Sequence, residues 1–205
     1  YRRQRQMCIR DSARLQELLK ENRPINASKA ASILRNRKGV GEAELGLANE
    51  MAINQFIAHH SVIFQPEKKR MWVSTAPWQC GKYVAYDLNR IFSDSIDFNH
   101  EIYTENLTVP ADSFLQQQEY QQLMTYKRLA PVLRKQIKKK ERLDEQTLHA
   151  FQHANPHFFY VYELLGDYYH ATGQQDKALR NWKKALLLPI PKRSESERIE
   201  HKINN

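Results

Sequence analysis

The sequence predicts an α+β protein, and three observations carry that reading. Short β-prone runs cluster in one stretch, Ala58 to Phe64, Met71 to Thr75 and Tyr83 to Leu88, separated by turn-type segments. From Pro110 onward the apolar residues switch to helical spacing and keep it. Near the C-terminus, large and small side chains recur at the spacing of two antiparallel helices: Tyr162, Leu165, Gly166 and Tyr169, then Ala178, Trp182 and Ala185.

Taken in order, Tyr1 to Ser12 reads YRRQRQMCIRDS, with no apolar period and no initiating Met. It resembles translated sequencing-adapter read-through at the ends of metagenome-derived reading frames, which would start the native chain near Ala13 and leave an upstream part missing. The alternative is a basic disordered tail. Ser12 to Glu21 has Leu15, Leu18 and Leu19 on one side and reads as a short amphipathic helix, broken by Pro24. Asn26 or Ser28 caps a second helix that carries Ala30, Ala31, Ile33 and Leu34 and ends in the basic turn Arg35 to Gly39.

The first two strands flank Gln65-Pro66-Glu67-Lys68-Lys69-Arg70, so they form a β-hairpin, and the third follows the Ala76-Pro77 break. Alternation sends Val62 and Phe64 one way and Ile63 the other, with Trp72 and Val73 likewise divided. Ser93 to Val109 is polar and turn-rich, and reads as an extended connection between domains. It contains the sequon Asn106-Leu107-Thr108, a weak match without a secretory context.

In the helical half, Pro110 suits a first helical turn with Asp112 in its acidic start. Tyr120, Leu123, Leu133 and Ile137 form an apolar stripe that Pro131 is expected to kink or divide. Asp144 caps a short helix through His153, stopped by Asn155-Pro156. Tyr162 to Ala185 fits the tetratricopeptide repeat pattern, with Gly173 ending the first helix and Asp176 opening the second. One departure is the pair Pro189 and Pro191 where that repeat usually has a single proline. Ser194 to Ile203 reads as a polar capping helix. A single repeat cannot bury its own face, since stability takes about three stacked units, so the helices of Pro110 to His153 are expected to be degenerate partners in the same stack.

Composition narrows function. The chain has 205 residues and a formal net charge of +9. Tyr1 to Ser12 carries +3 of it, from Arg2, Arg3, Arg5 and Arg10 against Asp11, and Lys127 to Arg142 carries +7, so the remainder is close to neutral. The basicity is one tail and one helix face, and a nucleic-acid partner is not expected. No run approaches the roughly 18 apolar residues that span a bilayer, and no signal peptide is visible.

Candidate chemistry is thin. Cys80 sits inside a loop between Trp78 and Gly81 and reads as a structural thiol rather than a nucleophile. His59 and His60 open the first strand and alternate across it, so neither pairs with Ser61 as a dyad, although either could reach a cleft. Asn54 is a further polar candidate for a pocket. His149, His153 and His157 have i, i+4 spacing, but Asn155-Pro156 interrupts the helix before His157, and neither a metal nor a cofactor is expected. The aromatics Phe158, Phe159, Tyr160, Tyr162, Tyr168 and Tyr169 read as inter-helix packing rather than a base-stacking platform.

The stretch Leu45 to Leu88, with its His-Ser strand, a hairpin ending in Trp72-Val73, a Pro-containing loop and the strand Tyr83-Val84-Ala85-Tyr86-Asp87-Leu88, resembles the end of the catalytic domain in the acyl-CoA:6-aminopenicillanic acid acyltransferase family of N-terminal-nucleophile (Ntn) hydrolases. The resemblance implies that Ala13 to Phe92 is the C-terminal piece of an αββα sandwich, with residues 110–205 a tetratricopeptide-like appendage. It implies autoproteolytic maturation of a bacterial parent enzyme, whose N-terminal thiolate acts on linear amide (C–N) or acyl-thioester bonds, with the nucleophile outside this chain. Partners would be the missing N-terminal part and a small acyl or amide substrate. A periplasmic or cell-envelope location is the expectation for the parent. The competing reading is a non-catalytic tetratricopeptide adaptor that binds a peptide or protein on its helical repeat.

Overall fold

The computed structural model describes residues 2–93 and 101–204, with the side chains of residues 2–11 left aside. Helix α1 (Arg2–Glu21) and α2 (Ala27–Leu34) precede the strands β1 (Val62–Gln65), β2 (Arg70–Ser74) and β3 (Tyr83–Asp87), followed by the short α3 (Leu88–Ile91). The helical half holds α4 (Gln118–Lys139), α5 (Glu145–Ala154), α6 (Phe159–Ala171), α7 (Gln175–Leu186) and α8 (Arg193–Asn204). The chain is therefore mixed helix and sheet, as its patterning predicts.

Several boundaries differ from the sequence reading, each for a local reason. Helix α1 begins at Arg2 instead of Ser12, because no Gly or Pro interrupts the good helix formers ahead of Ser12. Strand β1 begins at Val62, and Ala58 to Ser61 is irregular; His59 and His60 therefore lie ahead of the strand rather than in it. Pro110 lies outside any helix. Asp112 instead caps a 3-10 turn over Ser113–Gln116 by accepting from the Phe114 amide, and α4 starts at Gln118. Pro131 does not divide α4. It sits on the exposed side of the helix, where water can take the freed carbonyl, while Leu129, Ala130 and Leu133 anchor the buried side. The caps Asn26 and Asp144 do form, accepting from the amides of Lys29 and Thr147.

The three strands form an antiparallel meander in the order β1-β2-β3. Val62 pairs with Val73 and Val73 with Val84; Phe64 pairs with Met71 and Met71 with Tyr86. These two rows share one face of the sheet. The other face carries Ile63, Trp72, Tyr83 and Ala85, which pack with Ala31 of α2 and Val109 into a small core. One face is thus helix-covered. On the opposite face none of the six side chains enters either core among the described residues; five are half-buried and Phe64 is 65% exposed.

Of the expected inter-domain connection, residues 94–100 lie outside the described residues. The remainder does not span open space. Val109 and Tyr83 exchange two backbone hydrogen bonds of 3.0 Å, and the Thr104 amide donates to the Ala85 carbonyl at 2.8 Å. The Trp72 indole donates to the Leu107 carbonyl at 2.8 Å. The segment runs along the outer edge of β3. Beyond it, Phe56, Cys80 and Phe114 belong to the same buried cluster as Leu123, Phe151 and Tyr162, so the main core is continuous across residues 93–109.

Candidate functional site

A groove of about 950 Å³ opens where the basic turn after α2 faces Val109–Phe114 and the corner Asn155–His157. Buried Arg35 builds its base. Its guanidinium donates to the carbonyls of Gln79, Gly81 and Pro110 at 3.2, 2.7 and 2.9 Å, and it lies over the Tyr83 ring. Three loops are thereby tied to one side chain. Arg37 donates to Asp112 at 2.7 Å and sits 4.2 Å above the Phe114 ring, and Lys38 pairs with Glu44 at 2.7 Å. The opposite wall is fixed by Asn155, whose amide side chain accepts from the Leu47 amide at 2.9 Å and donates to the Leu47 carbonyl at 2.7 Å, in the manner of a strand partner.

Each of these cations is already matched by an acid or by carbonyls, and His157 adds one exposed imidazole at the far wall. The groove can hold a polar ligand of mixed charge. Among the described residues, no hydrogen bond joins a lining serine to the His157 imidazole or to a lining carboxylate. Among the described residues, no group of three or more His, Cys, Asp or Glu is placed to hold a metal ion.

The sequence candidates divide. Asn54 and Cys80 come together in the buried layer beneath the groove, with Asn54 Nδ2 donating to Cys80 Sγ at 3.4 Å. Both are tied to the groove wall: the Asn54 amide donates to the Asn36 carbonyl, and the Asp112 amide to the Cys80 carbonyl, each at 2.8 Å. Burial pushes the Cys80 thiol above its usual range, against the opposing hydrogen bond from Asn54. A thiol that is fully buried and held protonated is a poor nucleophile. His59 and His60 are exposed and line neither the groove nor the Asn54–Cys80 pair. The rings of His149 and His153 stack at 3.8 Å on the exposed side of α5, while His157 lies beyond Asn155-Pro156 in the groove wall.

The residues that the sequence reading assigns to repeat packing come together in the α6–α7 hairpin. Tyr162, Leu165, Ala178, Trp182 and Ala185 are buried, and Tyr169 is half-buried. A Cβ built on Gly166 would lie 2.3 Å from Trp182 Cδ1, so the indole rests directly on the glycine. The indole N–H donates to Asp167 at 3.0 Å. Of the aromatic run, Phe158, Phe159, Tyr162 and Tyr168 are packed in the main core, which leaves their faces unavailable for stacking on a ligand.

Sequence reasoning missed Glu163. This carboxylate, 2% exposed, accepts two hydrogen bonds from Arg198 and one from Lys202, each 2.8 Å, and Lys202 also bonds both oxygens of Asp167. Its signals were a lone acid inside the apolar run Tyr162–Leu165 and a basic i, i+4 pair on α8. Lys127 was also unforeseen: it donates to the Phe56 carbonyl at 3.0 Å and lies over the Trp78 ring.

Comparison with protein-family models, with curated proteins and with solved structures gave no match. Among the described residues no helix is long and apolar enough to cross a membrane.

Proposed function

We propose that this chain is the C-terminal part of an Ntn-type acyltransferase or amidohydrolase acting on linear amide or acyl-thioester bonds. The observation that carries the reading is the two-faced sheet. One face packs on α2, while the other carries the apolar rows Val62–Val73–Val84 and Phe64–Met71–Tyr86, which among the described residues join neither core. In a four-layer sandwich each sheet has helices on one side and the second sheet on the other, and such rows are the inner face of that arrangement. The buried, protonated Cys80 is consistent with a nucleophile supplied from elsewhere in the parent enzyme.

In this reading the helical region is an appendage. Support comes from the packing of the α6–α7 hairpin between α4 and α5 on one side and α8 on the other, which covers the hairpin with the chain's own helices. The groove at Arg37, Asp112 and His157 lies at the junction of the two halves.

The test is to express the gene product together with whatever is encoded upstream, then follow it by intact mass and with an acyl anilide substrate. The expected result is self-cleavage that exposes a cysteine N-terminus ahead of Ala13, and turnover that alkylation of that cysteine abolishes. An uncleaved product without amidase or acyltransferase turnover contradicts the proposal.

A further inference from the structure

We propose that the cleft between α4 and α6 docks an acidic peptide segment of a partner protein. The cleft, of about 480 Å³, has Arg134, Lys135 and Lys138 on its α4 wall and Tyr160, Leu164 and Asp167 on its α6 wall. The inference stands on charge and shape at this cleft and is independent of the enzyme reading.

The charge balance comes first. Lys127 to Arg142 carries +7, and two of its eight cations have local partners. Lys127 is committed to the Phe56 carbonyl and the Trp78 ring, and Lys139 pairs with Glu141. Lys138 and Lys139 also answer the negative C-terminal end of the α4 dipole, an effect that fades within one turn. Arg134 and Lys135 lie a turn further in, where the dipole gives them no role, and no acid among the described residues pairs with Arg134, Lys135 or Lys138. The acid on the facing wall is not free to do so, because Asp167 is taken by Lys202 and by the Trp182 indole. Three exposed cations therefore face a cleft whose one carboxylate is already neutralised.

The floor narrows the class of partner. Leu164 is buried, Tyr160 half-buried, and Ile137 sits beside them, so the cleft joins a cationic wall to an apolar base. A peptide alternating acidic and apolar side chains matches both features at once. A nucleic-acid strand would want cations along a longer track and flat aromatic faces, whereas the basic residues here occupy a single wall.

The experiment is a fluorescence-anisotropy titration of the whole chain with a labelled peptide of alternating glutamate and leucine. A lysine–leucine peptide, an oligothymidylate of equal charge and phosphatidylserine vesicles serve as the other arms. The expected result is saturable binding of the glutamate peptide that weakens with salt. Arg134→Glu combined with Lys138→Glu should lower the affinity about tenfold or more, a loss typical of charge reversal at an interface. Tyr160→Ala should also weaken binding, whereas the distant pair Lys68→Glu and Lys69→Glu should not. All substituted positions other than Tyr160 are exposed, and circular dichroism checks that each variant is folded. Unchanged affinity in the Arg134→Glu, Lys138→Glu variant overturns the proposal, as does tighter binding of the oligothymidylate or the vesicles than of the glutamate peptide.

Discussion

Gly166 and Trp182 oppose each other closely between α6 and α7: the indole occupies the space that a side chain at 166 would need, 2.3 Å from an ideal Cβ. Backbone and ring are in direct contact there, and the Trp182 N–H is spent on Asp167 one residue further along α6. The hairpin is therefore set by a small residue on one helix and a large one on the other.

Trp182→Ala should cost about 3–5 kcal/mol, the range for deleting a large buried aromatic. Gly166→Ala should cost about 1–3 kcal/mol by overpacking, although alanine is the better helix former. The two changes should be non-additive, with Gly166→Ala losing most of its penalty in a Trp182→Leu background. Urea melts of the four proteins measure this, and additive losses would show that the two residues do not oppose each other.

Glu163 links α6 to α8 and makes stability pH-dependent. Burial raises its pKa, but the hydrogen bonds from Arg198 and Lys202 outweigh that effect and hold the carboxyl below the usual glutamate value. A depressed folded value means that the contribution is complete above the unfolded-state pKa of about 4.3 and drains away as pH falls through the folded value. Glu163→Gln should cost about 1–3 kcal/mol at neutral pH, because the partners on α8 remain partly solvated. The gap between the two proteins should close below about pH 4. A constant gap from pH 7 to pH 3 would show that the charge of Glu163 is not involved.

Arg35 holds three loops through carbonyls, so lysine should not replace it. Arg35→Lys keeps the charge and loses the fork that reaches Gln79, Gly81 and Pro110. A loss of about 2–3 kcal/mol is expected from carbonyls left without their donor in a buried site. Thermal melts of Arg35→Lys and Arg35→Ala should give similar losses; full rescue by lysine would assign the role to charge alone.

Cys80 should resist alkylation in the folded chain. In a Cys8→Ser background, iodoacetamide at pH 8 should leave Cys80 unmodified until denaturant is added, because the thiol is buried and its pKa is raised by that burial. Cys80→Ala should cost on the order of 1 kcal/mol as a small core deletion. Rapid labelling of the native protein would return Cys80 to the list of nucleophiles.

What the sequence made legible was local. The Asn26 and Asp144 caps, the hairpin over Gln65–Arg70 and the small-and-large pattern of Gly166, Ala178 and Trp182 each act through neighbours in the chain or across one tight turn. What it hid was long-range pairing. The bridge between Tyr83 and Val109 uses backbone groups that leave no mark on side-chain pattern, so residues 93–109 read as a free connection. The Asn155–Leu47 bonds join positions more than a hundred residues apart. Arg35 looked like one more cation in a basic turn until three loops converged on it. His59 and His60 were placed in a strand by their β-prone neighbours, whereas pairing begins only at Val62.

The central claim is that the open face of the sheet is an interior surface of a larger sandwich. Hydroxyl-radical footprinting with peptide-resolved mass spectrometry tests it most directly, by comparing this chain alone with the gene product that includes its upstream residues. The account predicts that Phe64 and Met71 oxidise readily in the chain alone and fall to the rate of buried Phe114 in the longer protein. Equal oxidation of Phe64 in both would contradict it.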